Sequence, residues 1–241
     1  MKVLLYGRTA KNIEGLVKSL GLPAGRQGFQ LVSSNPEMVI SYGGDGTLLS
    51  TERRFPHIPK LPLRSSQLYN KCPDHQDEVV LKKLKAGKLK LKEYRKLVTT
   101  ILYKNFYALN DFVIRNSDPT HSIRFKTSLS EDKLLIGDGI VISTSFGSTG
   151  YFKSITGQIF NKGFGLAFNN TTEKLPPVFL SNEDKVTFKL IRGKATLSFD
   201  NSPDMFVIDE GSELIFSLSD QTAQIYEAAS LRCPDCEMIS S

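Results

Sequence analysis

A chain of 241 residues with 31 basic and 25 acidic side chains, a formal charge of +6, is long enough for one large domain or two modest ones and favours anionic partners. Its 40% hydrophobic and 23% charged residues match globular averages and argue against disorder. No apolar run approaches membrane-spanning length, residues 1–6 are too short for a signal peptide, and an odd number of cysteines, three, makes no disulfide framework. These features predict a cytoplasmic, soluble protein without a membrane partner.

Residues 2–6 read as a buried first strand, followed by Gly7 and a helix in which Ile13, Leu16, Val17 and Leu20 fall at helical spacing. A turn-rich break at 21–28, containing Pro23, precedes short strands at 29–32 and 38–40. The second strand runs into Ser41-Tyr42-Gly43-Gly44-Asp45-Gly46-Thr47, and a helical pattern over 48–55 leaves it. Strands alternating with helices predict a parallel sheet, whose ligands sit at the carboxyl ends of the strands, where this turn lies. Glycines at 43, 44 and 46 remove the Cβ, so backbone N–H groups can approach a phosphate, and the following helix aims its positive end at the same place. A carboxylate would repel that phosphate. Asp45 makes sense there if it takes a proton from a substrate hydroxyl or helps hold a metal ion. A glycine-rich turn with an aspartate at the helix start is the plain structural alternative. Pro56, Pro59 and Pro62 then predict a connecting loop.

Residues 77–86 read as a helix with Val80, Leu81 and Leu84 on its apolar side. From Lys88 the period shortens, and stretches at 97–103, 107–115, 122–129, 134–144, 185–191, 195–199 and 213–217 resemble strands. The expected fold is therefore α/β plus mainly β. An N-terminal parallel α/β domain over 1–87 carries the glycine turn, and a β-rich domain spans 88–222. Residues 82–96 hold eight basic side chains but only Tyr94 as an interleaved aromatic. That stretch reads as a solvated surface rather than a nucleic-acid site.

Two further stretches carry polar groups where apolar ones would be expected. Asn110-Asp111 lies between Tyr107-Ala108-Leu109 and Phe112-Val113-Ile114, and a polar pair there is costly to bury without partners. A ligand's base and ribose would supply them, and so would a β-bulge or a satisfied turn. Asp138-Gly139 opens the other stretch, in which a buried strand runs into Ser143 to Tyr151, with glycines either side of Ser148-Thr149. Small hydroxyls and open backbone suit hydrogen bonds to a flat polar ring, and Tyr151 adds a stacking face or a phenol. Asp138 and Ser154 are placed to bond sugar hydroxyls. A polar β–α loop with a tyrosine in the core is the alternative.

In order and separation these three stretches resemble the NAD kinase family. Its GGDGT turn matches Gly43 to Thr47, its Asn-Glu pair after Ala-Leu matches Asn110-Asp111, and its DG…GST-x-Y segment matches Asp138-Gly139 through Tyr151. The turn alone is shared with diacylglycerol kinases, sphingosine kinases and phosphofructokinase relatives, and the GST-x-Y segment separates the NAD kinase branch. The resemblance implies phosphoryl transfer from ATP to the adenosine 2′-hydroxyl of NAD, with Mg²⁺ neutralising the transferred charge. It implies Asp45 as the base and phosphate binding around Gly43, Gly44, Gly46 and Thr47. It further implies that Asn110, Asp111, Asp138, Thr149, Gly150, Tyr151 and Ser154 line the NAD pocket, in a homodimer or homotetramer. Three departures stand out. Asp111 replaces glutamate, Phe146 and Gly150 replace smaller or different residues, and residues 61–68 replace the family's GIN-x-G-x-LGFL segment.

Near the altered segment, Cys72-Pro73-Asp74-His75 is nearly copied by Cys233-Pro234-Asp235-Cys236. Two such knuckles offer Cys72, His75, Cys233 and Cys236 as tetrahedral ligands for a structural Zn²⁺. The site would return a tail, 223–241, to the first domain. Two other functions remain open on the sequence: a lipid or other small-molecule kinase sharing the glycine turn, and a catalytically weak dinucleotide-binding protein.

Overall fold

The structure, a computed structural model, describes residues 1–21, 28–65, 76–130 and 133–228. The chain divides into two units, Met1–Tyr94 with the chain from Ala223 onward, and Arg95–Thr222. Among the described residues no helix is long and apolar enough to cross a membrane.

The first unit is a parallel sheet with helices on both faces. β1 (Lys2–Tyr6) lies between β2 (Gln30–Leu31) and β3 (Met38–Tyr42), and β4 (Lys60–Leu63) follows β3, every pair being parallel. Successive side chains point to opposite faces of a strand. One face therefore takes Val3, Met38, Ile40, Tyr42, Leu61 and Leu63, which pack with Ile13 and Val17 and with Val80, Leu81 and Leu84. Those partners come from a 3₁₀ turn (Ala10–Ile13) and α1 (Glu14–Gly21) on one side, and from α3 (Asp77–Lys85) on the other. The opposite face is covered by α2 (Asp45–Arg54), whose Leu48, Leu49, Thr51 and Glu52 are buried.

β4 shortens the loop expected from the three prolines, which holds Pro56 and Pro59 but not Pro62. Pro62 is a strand residue in register with Ser41. Proline is tolerated in a sheet where its missing N–H is not asked to complete a ladder. Among the described residues a later strand registers with β4 at Lys60, through Ile225.

The second unit is a β-sandwich. Its six-stranded antiparallel sheet runs β12 (Val178–Leu180), β11 (Phe164–Asn169), β10 (Gly139–Thr144), β7 (Asp111–Asn116), β14 (Ala195–Phe199) and β15 (Phe206–Ile208). Facing it are β8 (Ile123–Thr127), β9 (Leu135–Gly137), β13 (Lys185–Arg192) and the first part of β16 (Glu213–Tyr226), joined antiparallel. A hairpin of β5 (Leu91–Ile101) and β6 (Lys104–Ala108) completes the set. Phe112, Ile114, Ile140, Ile142, Phe125, Phe188 and Phe216 fill the space between the sheets. The alternate residues Val113, Val141 and Ala167 point outward, against Phe152 of α4 (Tyr151–Thr156). Removing one such phenylalanine from the inter-sheet layer costs about 3–5 kcal/mol.

Candidate active site

Sequence places the first cluster at the carboxyl end of β3. Gly43 has no room for a side chain, since a Cβ there would lie 2.2 Å from Thr47 Oγ1. Its N–H donates to Leu63 O at 2.8 Å, so Gly43 contributes shape to the turn and not a free donor. Gly44 is the residue preceding α2, and the Thr47 and Leu48 N–H groups donate back to its carbonyl at 3.0 and 3.2 Å. The earlier first-turn N–H groups, at Asp45 and Gly46, lack intrahelical acceptors and mark the positive end of the helix. The Asp45 carboxylate stands at that end with its side chain 72% exposed, while Arg64, at 12%, donates Nη2–H to Asp45 Oδ1 at 2.6 Å. Below, Thr51 Oγ1 donates to Thr47 O at 2.7 Å and Ser41 Oγ at 3.0 Å, tying the helix to β3.

A cleft of about 770 Å³ opens at the carboxyl end of β1 in the same unit, lined among others by Tyr6, Gly7, Arg8, Lys11, Arg54 and Phe55. Tyr6 and Phe55 meet edge to face at 5.8 Å, and the Arg54 guanidinium lies 5.9 Å from the Phe55 ring centre. Gly7 has φ +140°, and a Cβ there would lie 2.2 Å from Tyr42 O and 3.5 Å from Thr47 Cγ2, which sets this cleft directly beside the glycine turn. Three cations with two aromatic rings suit a nucleotide's phosphates and base.

In the second unit the Asn-Asp pair and the hydroxyl loop meet. Thr144, the last residue of β10, donates its N–H to Asn110 O at 2.8 Å and its hydroxyl to Leu109 O at 2.6 Å, and accepts the Gly147 N–H at 3.0 Å. Ser143 Oγ donates to Asn110 O at 3.2 Å. Gly147 is obligatory here, because its Cβ would fall 2.3 Å from Asn110 O. The Asn110 side-chain amide, on a half-buried residue with its Nδ2 beside Gly150, makes no hydrogen bond among the described residues. Thr149, Gly150 and Ser154 are exposed along the loop and the start of α4. Ser148 is buried and structural, its one hydroxyl proton shared between Ser145 O at 2.9 Å and Phe160 O at 3.0 Å.

Asp138 lies at the other end of β10. Asn170 Nδ2 donates to its carboxylate at 3.1 Å, and the neighbouring Asn169 donates to the Tyr151 hydroxyl at 3.4 Å. Asp138 and the Tyr151 phenol therefore share one end of the sheet, and Asn110 with Gly147 and Gly150 the other.

Asp200, which sequence reasoning passed over, organises the Asn-Asp pair. Its buried carboxylate accepts the N–H groups of Asn110 at 2.7 Å and Asp111 at 3.3 Å, and also that of Leu109. Burial pushes Asp111 up to about 7, with the Asp200 charge adding to the rise. Burial likewise lifts Asp200 to about 6, opposed by the three N–H groups and by Lys96. Arg64 was missed as well. It sits in the segment that departs from the expected pattern, and nothing local to it names a partner 19 residues earlier.

The four candidate zinc ligands, Cys72, His75, Cys233 and Cys236, lie outside the described residues. Among the described residues no group of three or more His, Cys, Asp and Glu is placed to hold a metal.

A parallel α/β unit with a glycine turn at a helix start, followed by a β-sandwich with a polar strand-to-helix loop, defines a two-unit α/β-plus-β class with the features of a nucleotide-binding protein. No protein-family model matches the chain. It is 31% identical over 175 residues to the NAD kinase of Enterococcus faecalis, a match covering 67% of this chain and 65% of that protein. It is 30% identical over 183 residues to the NAD kinase of Limosilactobacillus reuteri, covering 69% and 67%. The chain thus spans about two thirds of the length of the curated relatives it matches. A crystal structure of an NAD kinase from Archaeoglobus fulgidus in complex with ATP shares the fold, with a TM-score of 0.76 at 19% identity over 100% of this chain and 99% of that one. The chain belongs to the NAD kinase family.

Proposed function

We propose that this protein transfers the terminal phosphoryl group of ATP to the 2′-hydroxyl of the adenosine ribose of NAD, giving NADP. The observation that carries the reading is an exposed carboxylate, Asp45, at the positive end of α2 within a glycine turn. A carboxylate has no place in a passive phosphate cradle, but it suits a hydroxyl that must lose its proton as it attacks. The 2′-oxygen forms its bond to the γ-phosphorus as the bond from phosphorus to the bridging oxygen of ADP breaks, and the hydroxyl proton passes to Asp45. The first-turn N–H groups face the phosphates, and the cleft with Arg8, Lys11 and Arg54 beside the turn supports a nucleotide donor.

Mg²⁺ fits this turn as an ion carried in with the donor. It is usually held by one or two carboxylates plus substrate phosphates, and the turn offers the one carboxylate of Asp45 and not a cage. When bound it would neutralise charge on the transferred phosphoryl group. In the second unit, the open Asn110 amide and the exposed Thr149, Gly150 and Ser154 support contacts to adenine and ribose, with Tyr151 and Asp138 for the remainder of the dinucleotide. Asp111, titrating near 7, can donate as well as accept a hydrogen bond to such a ligand. The near-copied Cys72–His75 and Cys233–Cys236 knuckles support one structural Zn²⁺, and the family resemblance supports a homo-oligomer.

The test is an assay with ATP, Mg²⁺ and NAD, read by an NADP-specific dehydrogenase. Asp45→Asn is expected to lower kcat by about 100-fold or more while NAD binding is retained. Turnover of a lipid but not NAD would replace this reading with a small-molecule kinase. Tight NAD binding without turnover under any phosphoryl donor would leave a binding protein.

A further inference from the structure

In the segment that departs from the family pattern, β4 and the residue after it present Lys60, Pro62 and Arg64 at alternate positions, hence on one face, the face covered by α2. On α2, Asp45, Leu48, Leu49 and Glu52 fall at i, i+3, i+4 and i+7, hence along one stripe. The two stripes run in opposite directions and are joined by charge at both ends. Arg64 meets Asp45 at the helix start, and Lys60 meets Glu52 two turns further on. Seven helical residues advance about 10 Å and four strand residues about 13 Å, so the two pairs match in span.

Lys60 is fully buried and Glu52 nearly so. A buried pair of this kind is strongly favoured in the alignment that brings the two charges together, and a slide of the helix along the strand would separate them. The lower pair therefore sets the register of α2 on the sheet, and the upper pair turns that register into the direction of one carboxylate. The Asp45 side chain is otherwise free to sample solvent at 72% exposure, whereas the Arg64 guanidinium that holds it is 12% exposed and fixed by its surroundings.

We propose that Arg64 is a positioning residue for Asp45: it holds the carboxylate in one orientation at the glycine turn, and the Lys60–Glu52 pair holds the helix that carries it. This rests on the kinase reading above. A guanidinium presents its donors in a rigid planar fork, so it fixes direction as well as charge. A second consequence concerns the phosphates. The carboxylate that would repel them is answered by a cation within the same unit before any ligand arrives.

The experiment is a kinetic double-mutant cycle on the full chain with Arg64→Ala, Arg64→Lys, Asp45→Asn and the Arg64→Ala/Asp45→Asn pair. Arg64→Ala is expected to lower kcat by about tenfold or more with KM for NAD changed by less than about twofold, and Arg64→Lys to restore part of the loss. In the Asp45→Asn background, Arg64→Ala should cost nothing further. Unchanged kcat in Arg64→Ala, or an equal loss with and without Asp45, overturns the proposal. If Arg64→Ala does not fold, Arg64→Gln takes its place, since it keeps most of the stem's packing. If the wild-type protein makes no NADP, the kinase reading has failed, and the pairing is then decided by urea unfolding. Sub-additive destabilisation by Arg64→Gln and Asp45→Asn keeps it, and strict additivity removes it.

Discussion

Asp111 and Asp200 put two carboxylates in one buried pocket, and only one of them is well supplied with donors. Both titrate above the ordinary aspartate value of 3.8, Asp111 near 7 and Asp200 near 6, with burial as the main cause. A carboxyl raised on folding binds more protons in the native state than in the unfolded one. Its contribution to stability is therefore full below about pH 4 and is lost as pH rises towards 7, after which the loss is complete. Other carboxylates act in the opposite sense, Asp118 being held down near 2 by Thr120 and His121, so the pocket is best read by difference. The expected outcome is that wild type loses stability relative to Asp111→Asn between about pH 4 and pH 7, measured by urea unfolding at a series of pH values. A pH-independent difference would mean that Asp111 ionises in the fold as it does in water. At this scale the sequence was legible where a residue type is odd for its surroundings, as with Asp45 and Asn110-Asp111. It was silent on Asp200, whose Phe199-Asp200-Asn201-Ser202 setting looks like any turn and whose partners lie 89 to 91 residues earlier.

Elements were legible in proportion to how far their side-chain period was undisturbed. Ala195–Phe199 and Asp77–Lys85 carry clean alternation and helical spacing, Lys2–Tyr6 a short continuous apolar run, and each forms as its pattern predicts. Lys60–Leu63 did not read as a strand because proline and lysine are both poor signals for a buried one. It forms because Glu52 answers the lysine and the strand pairs in parallel with β3 over its whole length. Phe164–Asn169 carries Gly165 and Ala167 in place of β-branched residues, and its strand character comes from its neighbours on both sides in the sheet. The hairpin of β5 and β6 shows local preference overruled in the other direction. Its two-residue turn is Leu102-Tyr103, with φ +49° and +64°, and both side chains stand out in solvent at 81% and 102% exposure. Such a turn has the type I′ sense, which suits Asn-Gly and strains a leucine and a tyrosine. Leu102→Asn with Tyr103→Gly is expected to raise stability by about 1 kcal/mol, read as a higher urea midpoint with unchanged slope.

On the scale of the whole molecule, the α/β-plus-β class followed from the change of period near Lys88, and a tail returning to the first domain was expected only through the paired cysteine knuckles, not through a strand. The first unit is assembled from both ends of the sequence, since Ile225 is in register with Lys60 and Ala228 packs in the core formed by β1, β3 and β4. The proposed zinc site belongs to this scale, because its ligands come from the same two distant stretches. One zinc per chain is expected from metal analysis of protein purified without chelator, with loss of the metal in Cys233→Ser. A metal-free wild-type protein would remove the site.

The last strand has a consequence for synthesis. Residues 1–94 leave the ribosome before residues 95–222, yet the residues that pair with β4 and join its core, 225 and 228, emerge only after both. Among the described residues the inter-sheet core lies wholly within 95–222, by contrast, and is made before residues 223–228. The unit begun before residues 95–222 is therefore completed after them. Until residue 228 has left the exit tunnel, the nascent protein carries an open strand edge beside Lys60, where the strand of a neighbouring chain can add.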